Sequence, residues 1–332
     1  MWTLKGASNA LKDASSLFIA NFTPCSPHRN PEIEAAVIKA TNHNNSRVDY
    51  RSAQLLFAWI RVSGHYIRPV LSAISVRMER TRNWTVALKG LMLLHGIFTC
   101  KVPAVQKIGR LPFDLSNFKD RTPNLCQHEA FIRAYYTYLN KKSAFMMKHS
   151  EDKKGGTLRK GIKEKPKQSS MMQHLEWLEN LQGLLDILLE IKPQGDKMMN
   201  VLVLEAMNCI MLEVYDIYSR ICNGIAAVLV RIYSIGKTEA GMAFAILQKA
   251  SVQADDLSRY IDYCRDFGVT KASERPKIVH IRKDDIQQLE QIINRSSPQK
   301  GEQSIPKEED KSMTPVEDTD IKKTEPLQLD VT

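Results

Sequence analysis

Met207–Val228 reads MNCIMLEVYDIYSRICNGIAAV, and its apolar side chains fall at Met207, Ile210, Met211, Val214, Ile217, Tyr218, Ile221, Ile225 and Val228. Steps of three and four residues put all nine on one face of an α-helix, since about 3.6 residues make a turn. The stripe runs for about six turns with no proline to break it. A strand would need alternation in twos, and we find no such pattern here or elsewhere, nor any repeat of fixed period. The chain therefore reads as all-α.

The same period organises the flanking sequence. Leu4, Ala7, Leu11 and Ala14 predict a short amphipathic helix. Asn30-Pro31-Glu32 is a helix start: Asn caps, Pro suits the first turn, and Glu faces the positive end of the dipole. Ile33, Ala36, Val37 and Ala40 form its stripe, which the polar stretch Asn42–Ser46 interrupts. Tyr50, Ala53, Leu56, Phe57 and Ile60 open the next helix, ended by Gly64. Further helices are expected over Ile67–Met78, Trp84–Thr99, Val102–Leu111, His128–Met147 and Met171–Ile191, the last closed by Lys192-Pro193. Ala240–Phe267 is another long helix, with Gly268 as its stop.

The 332 residues carry 47 Lys and Arg against 37 Asp and Glu, a net charge of +10, with 43% hydrophobic residues. That length buries a sizeable core, and that composition is a globular one. Fifteen glycines are few for a sandwich, a propeller or a Gly-loop nucleotide binder. Six dispersed cysteines without a C-x-x-C pair argue against structural zinc and a disulfide framework, and for reduced thiols in the cytosol. No run reaches the roughly 20 apolar residues of a membrane span, and the first 18 residues lack a signal-peptide core.

Two segments break the helical order. Lys148–Ser170 has no periodicity; across 141–168 ten Lys and Arg oppose three acids, and the segment of about 148–170 reads as a flexible basic loop. From Ser297 onward five lysines oppose nine acids, a net −4, so the rest of the chain is +14. The organisation expected is an all-helical domain over 1–295 and a disordered acidic tail over 296–332.

No P-loop, G-x-G-x-x-G, H-E-x-x-H or G-x-S-x-G motif is present. His95 and Cys100 read as helix-face residues in or near the core, and Cys209 and Cys222 as small hydrophobes. Asp255-Asp256 and Asp284-Asp285 read as caps at helix starts. We expect no enzyme activity, no metal and no cofactor. The excess of positive charge instead favours polyanions, either nucleic acid or an acidic membrane. No reading motif for nucleic acid is present, and Arg77–Arg82 reads as the solvated end of a helix. The sharpest local feature is the turn from Lys39 to Arg51, with His43 and Arg47 between. There, backbone N–H groups at the new helix start would be free for phosphate oxygens.

Pro31 to Tyr50, and Lys39-Ala40-Thr41-Asn42-His43 within it, resembles the opening of the ANTH domain of clathrin assembly proteins. Asn83 to Gly96 (NWTVALKGLMLLHG), Leu111 to Ser116 (LPFDLS) and Phe131 to Leu139 (FIRAYYTYL) agree with that family in order, most closely with its shorter plant members. The resemblance covers about 1–295. It implies a right-handed superhelical stack of roughly ten helices. It also implies recruitment of clathrin heavy chain to membranes carrying phosphatidylinositol 4,5-bisphosphate, on the cytoplasmic face of coated pits and vesicles at the plasma membrane or Golgi. The family's lysine on the second helix falls on Lys39. The basic cluster expected ten residues on meets Asp49, then Arg51, with Ser52 in place of its terminal His. The implied headgroup site is Lys39, His43, Arg47 and Arg51. In the tail, Leu327, Leu329 and Asp330 resemble the end of a clathrin box without its leading leucine. The alternative implied is a helical module for vesicle SNAREs or coat partners with a degenerate lipid site.

Overall fold

The computed structural model describes residues 4–22, 30–158, 166–231 and 236–274, with positions 278, 286, 287, 290 and 291 beyond them. Nine α-helices occupy the described residues: α1 (Leu4–Phe22), α2 (Pro31–Ala40), α3 (Tyr50–Val62), α4 (Ile67–Arg80), α5 (Trp84–Thr99), α6 (Cys126–Leu158), α7 (Pro166–Leu189), α8 (Val201–Leu229) and α9 (Lys237–Asp266). Among these residues there is no strand, and no helix is long and apolar enough to cross a membrane. The chain divides into units 1–296 and 297–332. The second unit lies wholly outside the described residues, and with it Leu327, Leu329 and Asp330.

The starts are written in asparagine. Asn30 Oδ1 accepts the N–H of Glu32 at 3.0 Å and of Ile33 at 3.2 Å, so α2 begins at Pro31. Asn83 caps α5 through Thr85 and Val86, and Asn200 caps α8 through Val203. After α9, Gly268 turns at φ +92°, a conformation glycine adopts without a Cβ penalty.

Packing follows sequence order. α1 lies on α2, α2 on α3 and α4, α4 on α5, α5 on α6 and α8, α6 on α7, and α7 on both α8 and α9. Each amphipathic helix thus covers its neighbour's stripe, and Ile210, Met211 and Val214 of α8 are fully buried. α5 is buried on nearly every face. Its glycines let neighbours in: a Cβ on Gly96 would run into the Phe57 ring, and one on Gly90 into the Met78 side chain.

A buried polar brace joins α5, α6 and α8. Glu213 accepts from Lys142 Nζ at 2.6 Å, Tyr138 O–H at 2.7 Å and His95 Nε2 at 3.3 Å. Tyr135 O–H lies 2.6 Å from His95 Nδ1. Burial holds the imidazole below its ordinary value, hence neutral, with Nε2–H donating to Glu213 and Nδ1 accepting from Tyr135. Burial by itself would raise the Glu213 carboxyl; the His95 hydrogen bond and the Lys142 charge bring it far below the usual carboxylate range. His95 is therefore a core residue, as its helical face implies.

Three expectations change. Val102–Leu111 is not a helix; only Val105–Lys107 make a 3-10 turn. Pro103 restricts its start, and Gly109 at φ +68° leaves the helical region. The basic loop of about 148–170 is helical up to Leu158 and again from Pro166. Apolar periodicity is not the only route to a helix, since Lys and Glu carry good helix propensity. Residues 159–165 lie outside the description. Asp255 and Asp256 sit inside α9 rather than at its start, where Asp256 bonds Arg259. Asp284-Asp285 lies outside the described residues.

Glu213→Leu strands three donors and should lower the unfolding free energy by about 3 kcal/mol or more in urea denaturation; a loss under about 1 kcal/mol contradicts the brace. The depressed His95 stabilises the fold above its unfolded value of 6.5 and loses that contribution as pH falls. Wild-type stability should accordingly drop between about pH 7 and pH 5.

Candidate functional site

Residues 41–49 join α2 to α3, and their conformation is imposed from beneath. Arg77 of α4 reaches up to them with a side chain only 13% exposed. Its Nε donates to Thr41 Oγ1 at 3.2 Å, and its Nη2 donates to the Thr41 carbonyl at 3.1 Å and to Asp13 Oδ1 at 3.0 Å. Asp13 of α1 also accepts the His43 backbone N–H at 2.9 Å and meets His43 Nδ1 at 2.7 Å. Burial pushes against ionising Asp13, but the bonds from His43 and Arg77 hold its carboxyl below the ordinary value.

Lys89 of α5 is the second strut. It is 2% exposed, and its Nζ donates to Asn42 Oδ1 at 2.8 Å and to the Asn44 carbonyl at 2.6 Å. Burial pushes its ammonium down to about 8, with nearby Asp13 and Asp49 working against that shift and Arg47 adding to it. The asparagines then fold the turn on itself. Asn42 Nδ2 donates to the Lys39 carbonyl at 2.7 Å, and Asn44 Oδ1 accepts the Ser46 N–H at 2.9 Å.

Asp49 and Ser52, the two departures from the family pattern, belong together. Asp49 is the N-cap of α3: its carboxylate accepts the Ser52 N–H at 3.1 Å and the Ser52 hydroxyl at 2.9 Å. The Ser52 N–H is thus already engaged, so of the expected N–H groups at this helix start that one is not open to phosphate.

The structure sets Lys39 in the last turn of α2, Arg47 on the turn and Arg51 in the first turn of α3. All three are exposed, and none enters an ion pair among the described residues. His43 differs, because its ring is turned onto Asp13 and only 11% exposed. Arg47 also lines a groove of about 1460 Å3, together with Lys12, Asp13, Arg80, Arg82 and Arg121. Sequence reading missed Lys89 and misplaced Arg77, which is enclosed rather than solvated. A lone lysine inside the apolar run Val86–Leu94 was the legible signal for the first; nothing in the charge run Arg77–Arg82 separated the second from its exposed neighbours. No group of His, Cys, Asp and Glu among the described residues could hold a metal ion. What the corner can do is present fixed cations to an anion.

The ANTH domain family model matches residues 32–295. An Arabidopsis thaliana protein named "Putative clathrin assembly protein At1g25240" is 44% identical over 294 residues, spanning 87% of this chain and 76% of its own length. Another from the same plant, "Putative clathrin assembly protein At1g68110", is 39% identical over 319 residues, spanning 94% and 83%. The Arabidopsis thaliana "Clathrin coat assembly protein AP180" is 26% identical over 327 residues, which is 89% of this chain but 50% of that longer protein. With the helical stack, the α2–α3 corner and these matches in hand, the chain belongs to the ANTH domain family.

Proposed function

We propose that the protein is a peripheral clathrin adaptor that docks on phosphatidylinositol 4,5-bisphosphate membranes through the α2–α3 turn and promotes coat assembly in endocytosis or vesicle budding. Its place is the cytoplasmic face of coated pits and vesicles, and its role is scaffolding rather than catalysis. One observation carries the lipid half: three exposed, unpaired cations, Lys39, Arg47 and Arg51, stand on a turn that Arg77 and Lys89 hold rigid. Each is worth about 1 kcal/mol beside an anionic surface, so together they supply about a hundredfold in affinity. Pre-formation of the turn spares the ordering cost of binding. His43 supports the turn through Asp13 and is not a headgroup contact in this reading. The clathrin half draws on the relatives' names and on the tail phrase Leu327, Leu329, Asp330. A second reading, a module for SNARE or coat partners, draws on α8, where Val201 and Leu212 are about half exposed.

In vesicle flotation, Lys39→Glu and Arg47→Glu should each weaken attachment about tenfold or more. Asp49→Ser keeps a capping side chain while removing the acid, and should strengthen it severalfold. Equal binding of wild type to phosphatidylserine vesicles of matched charge would remove the specific site. An anion near Lys89 favours its protonated form, so binding takes up a proton and affinity falls as pH rises through about 8. Lys89→Met should abolish that slope; a slope unchanged in the variant contradicts the role. In a pulldown on the clathrin terminal domain, the full chain should be retained and residues 1–323 lost. Equal retention assigns clathrin binding elsewhere.

A further inference from the structure

The docking turn lies at the start of α3. A second basic feature lies at its other end, about 20 Å away, since 13 helical residues rise about 1.5 Å each. There the α3–α4 turn faces the segment 102–108 across a cleft of about 850 Å3, within the usual range of about 300–1,000 Å3 for ligand clefts. Val62, Leu71 and Ile108 line it with apolar surface, and Val62 is 82% exposed. His65, Arg68 and Lys107 stand among them. No carboxylate lines the cleft among the described residues, and none of the three basic side chains enters an ion pair there.

The walls are pre-formed. A Cβ on Gly64 would lie 2.9 Å from the Ala104 Cβ, so the two walls touch at the base of the cleft. One wall is closed by Tyr66 N–H donating to the Ser63 carbonyl at 3.2 Å, the other by Val102 N–H to Cys100 at 2.7 Å and Val105 N–H to Val102 at 3.0 Å. A ligand would find both already in place, which spares the ordering cost.

We propose that this cleft docks a short acidic peptide segment of a partner protein, carrying aliphatic anchor residues. Charge complementarity selects the acid: Arg68 and Lys107, with no carboxylate among the cleft's described lining residues, attract a negative chain and repel a basic one. The apolar floor selects the anchors, because a purely acidic chain would leave Val62 and Ile108 in water. A concave, apolar-floored cleft also fits a peptide better than the flat plane of a bilayer.

The test uses the full chain and a fluorescein-labelled peptide of sequence EDLEDLLEE, read by fluorescence anisotropy. Saturable binding is expected, weakened about tenfold or more in the control peptides EDSEDSSEE and KKLKKLLKK. Arg68→Glu with Lys107→Glu, and separately Val62→Asp, should each weaken it as much with an unchanged far-UV circular dichroism spectrum. All three positions are exposed, so these variants spare the core. Lys39→Glu should leave peptide binding intact, which separates this site from the lipid-docking turn. Serine-peptide binding as tight as leucine-peptide binding, or an unaffected Arg68→Glu/Lys107→Glu variant, overturns the proposal. So does displacement of the peptide by phosphatidylserine vesicles, which would assign the cleft to the membrane surface.

Discussion

A cation taken out of water must be given acceptors, and two such cations shape the corner between α2 and α3. Arg77 and Lys89 rise from α4 and α5 into the space under residues 41–49. The available acceptors are the carbonyls of Thr41 and Asn44, the amide of Asn42 and the carboxylate of Asp13. Satisfying them fixes the turn's path, because removing one partner of a buried charge costs several kcal/mol while the pair itself gains little. The corner is rigid for the sake of the charges beneath it, and the exposed cations above inherit that rigidity.

The same logic recurs deeper in the stack. Glu213 would be intolerable on the apolar face of α8 alone, yet Lys142, Tyr138 and His95 supply its partners from two other helices. Such a brace carries direction that hydrophobic packing lacks. Leucines can slide past one another, whereas a carboxylate with three donors admits one register of α5, α6 and α8. The stack thus has a polar fastening at its centre and another at its edge, and α5 contributes to both through His95 and Lys89.

Much of the architecture was legible because helices announce themselves by period and by caps. Trp84–Thr99 begins at Asn83 and ends where its stripe ends. The stripe of α8 is the buried face. Legibility failed where period and structure part company. Residues 148–158 are helical without an apolar stripe, and 102–111 carries apolar residues but is broken by Pro103 and Gly109. At the corner, residue type located the turn but not the roles within it. His43 looked like a ligand, and residue type did not show that its ring lies on Asp13, 30 residues away. Asp49 reads as a charge reversal in the family's basic cluster, and it is the N-cap of α3, a local role readable from Ser52 three positions on. Arg77 and Lys89 act through contacts 36 and 47 residues distant, and no local pattern encodes such contacts.

The most direct measurement is a crystal structure of the protein with inositol 1,4,5-trisphosphate bound. The account predicts the phosphates between Lys39, Arg47 and Arg51, with the backbone of 41–48 unmoved and the contacts of Arg77 and Lys89 intact. A headgroup seated elsewhere while this corner stays vacant, or a turn that refolds and releases those two cations, would contradict it.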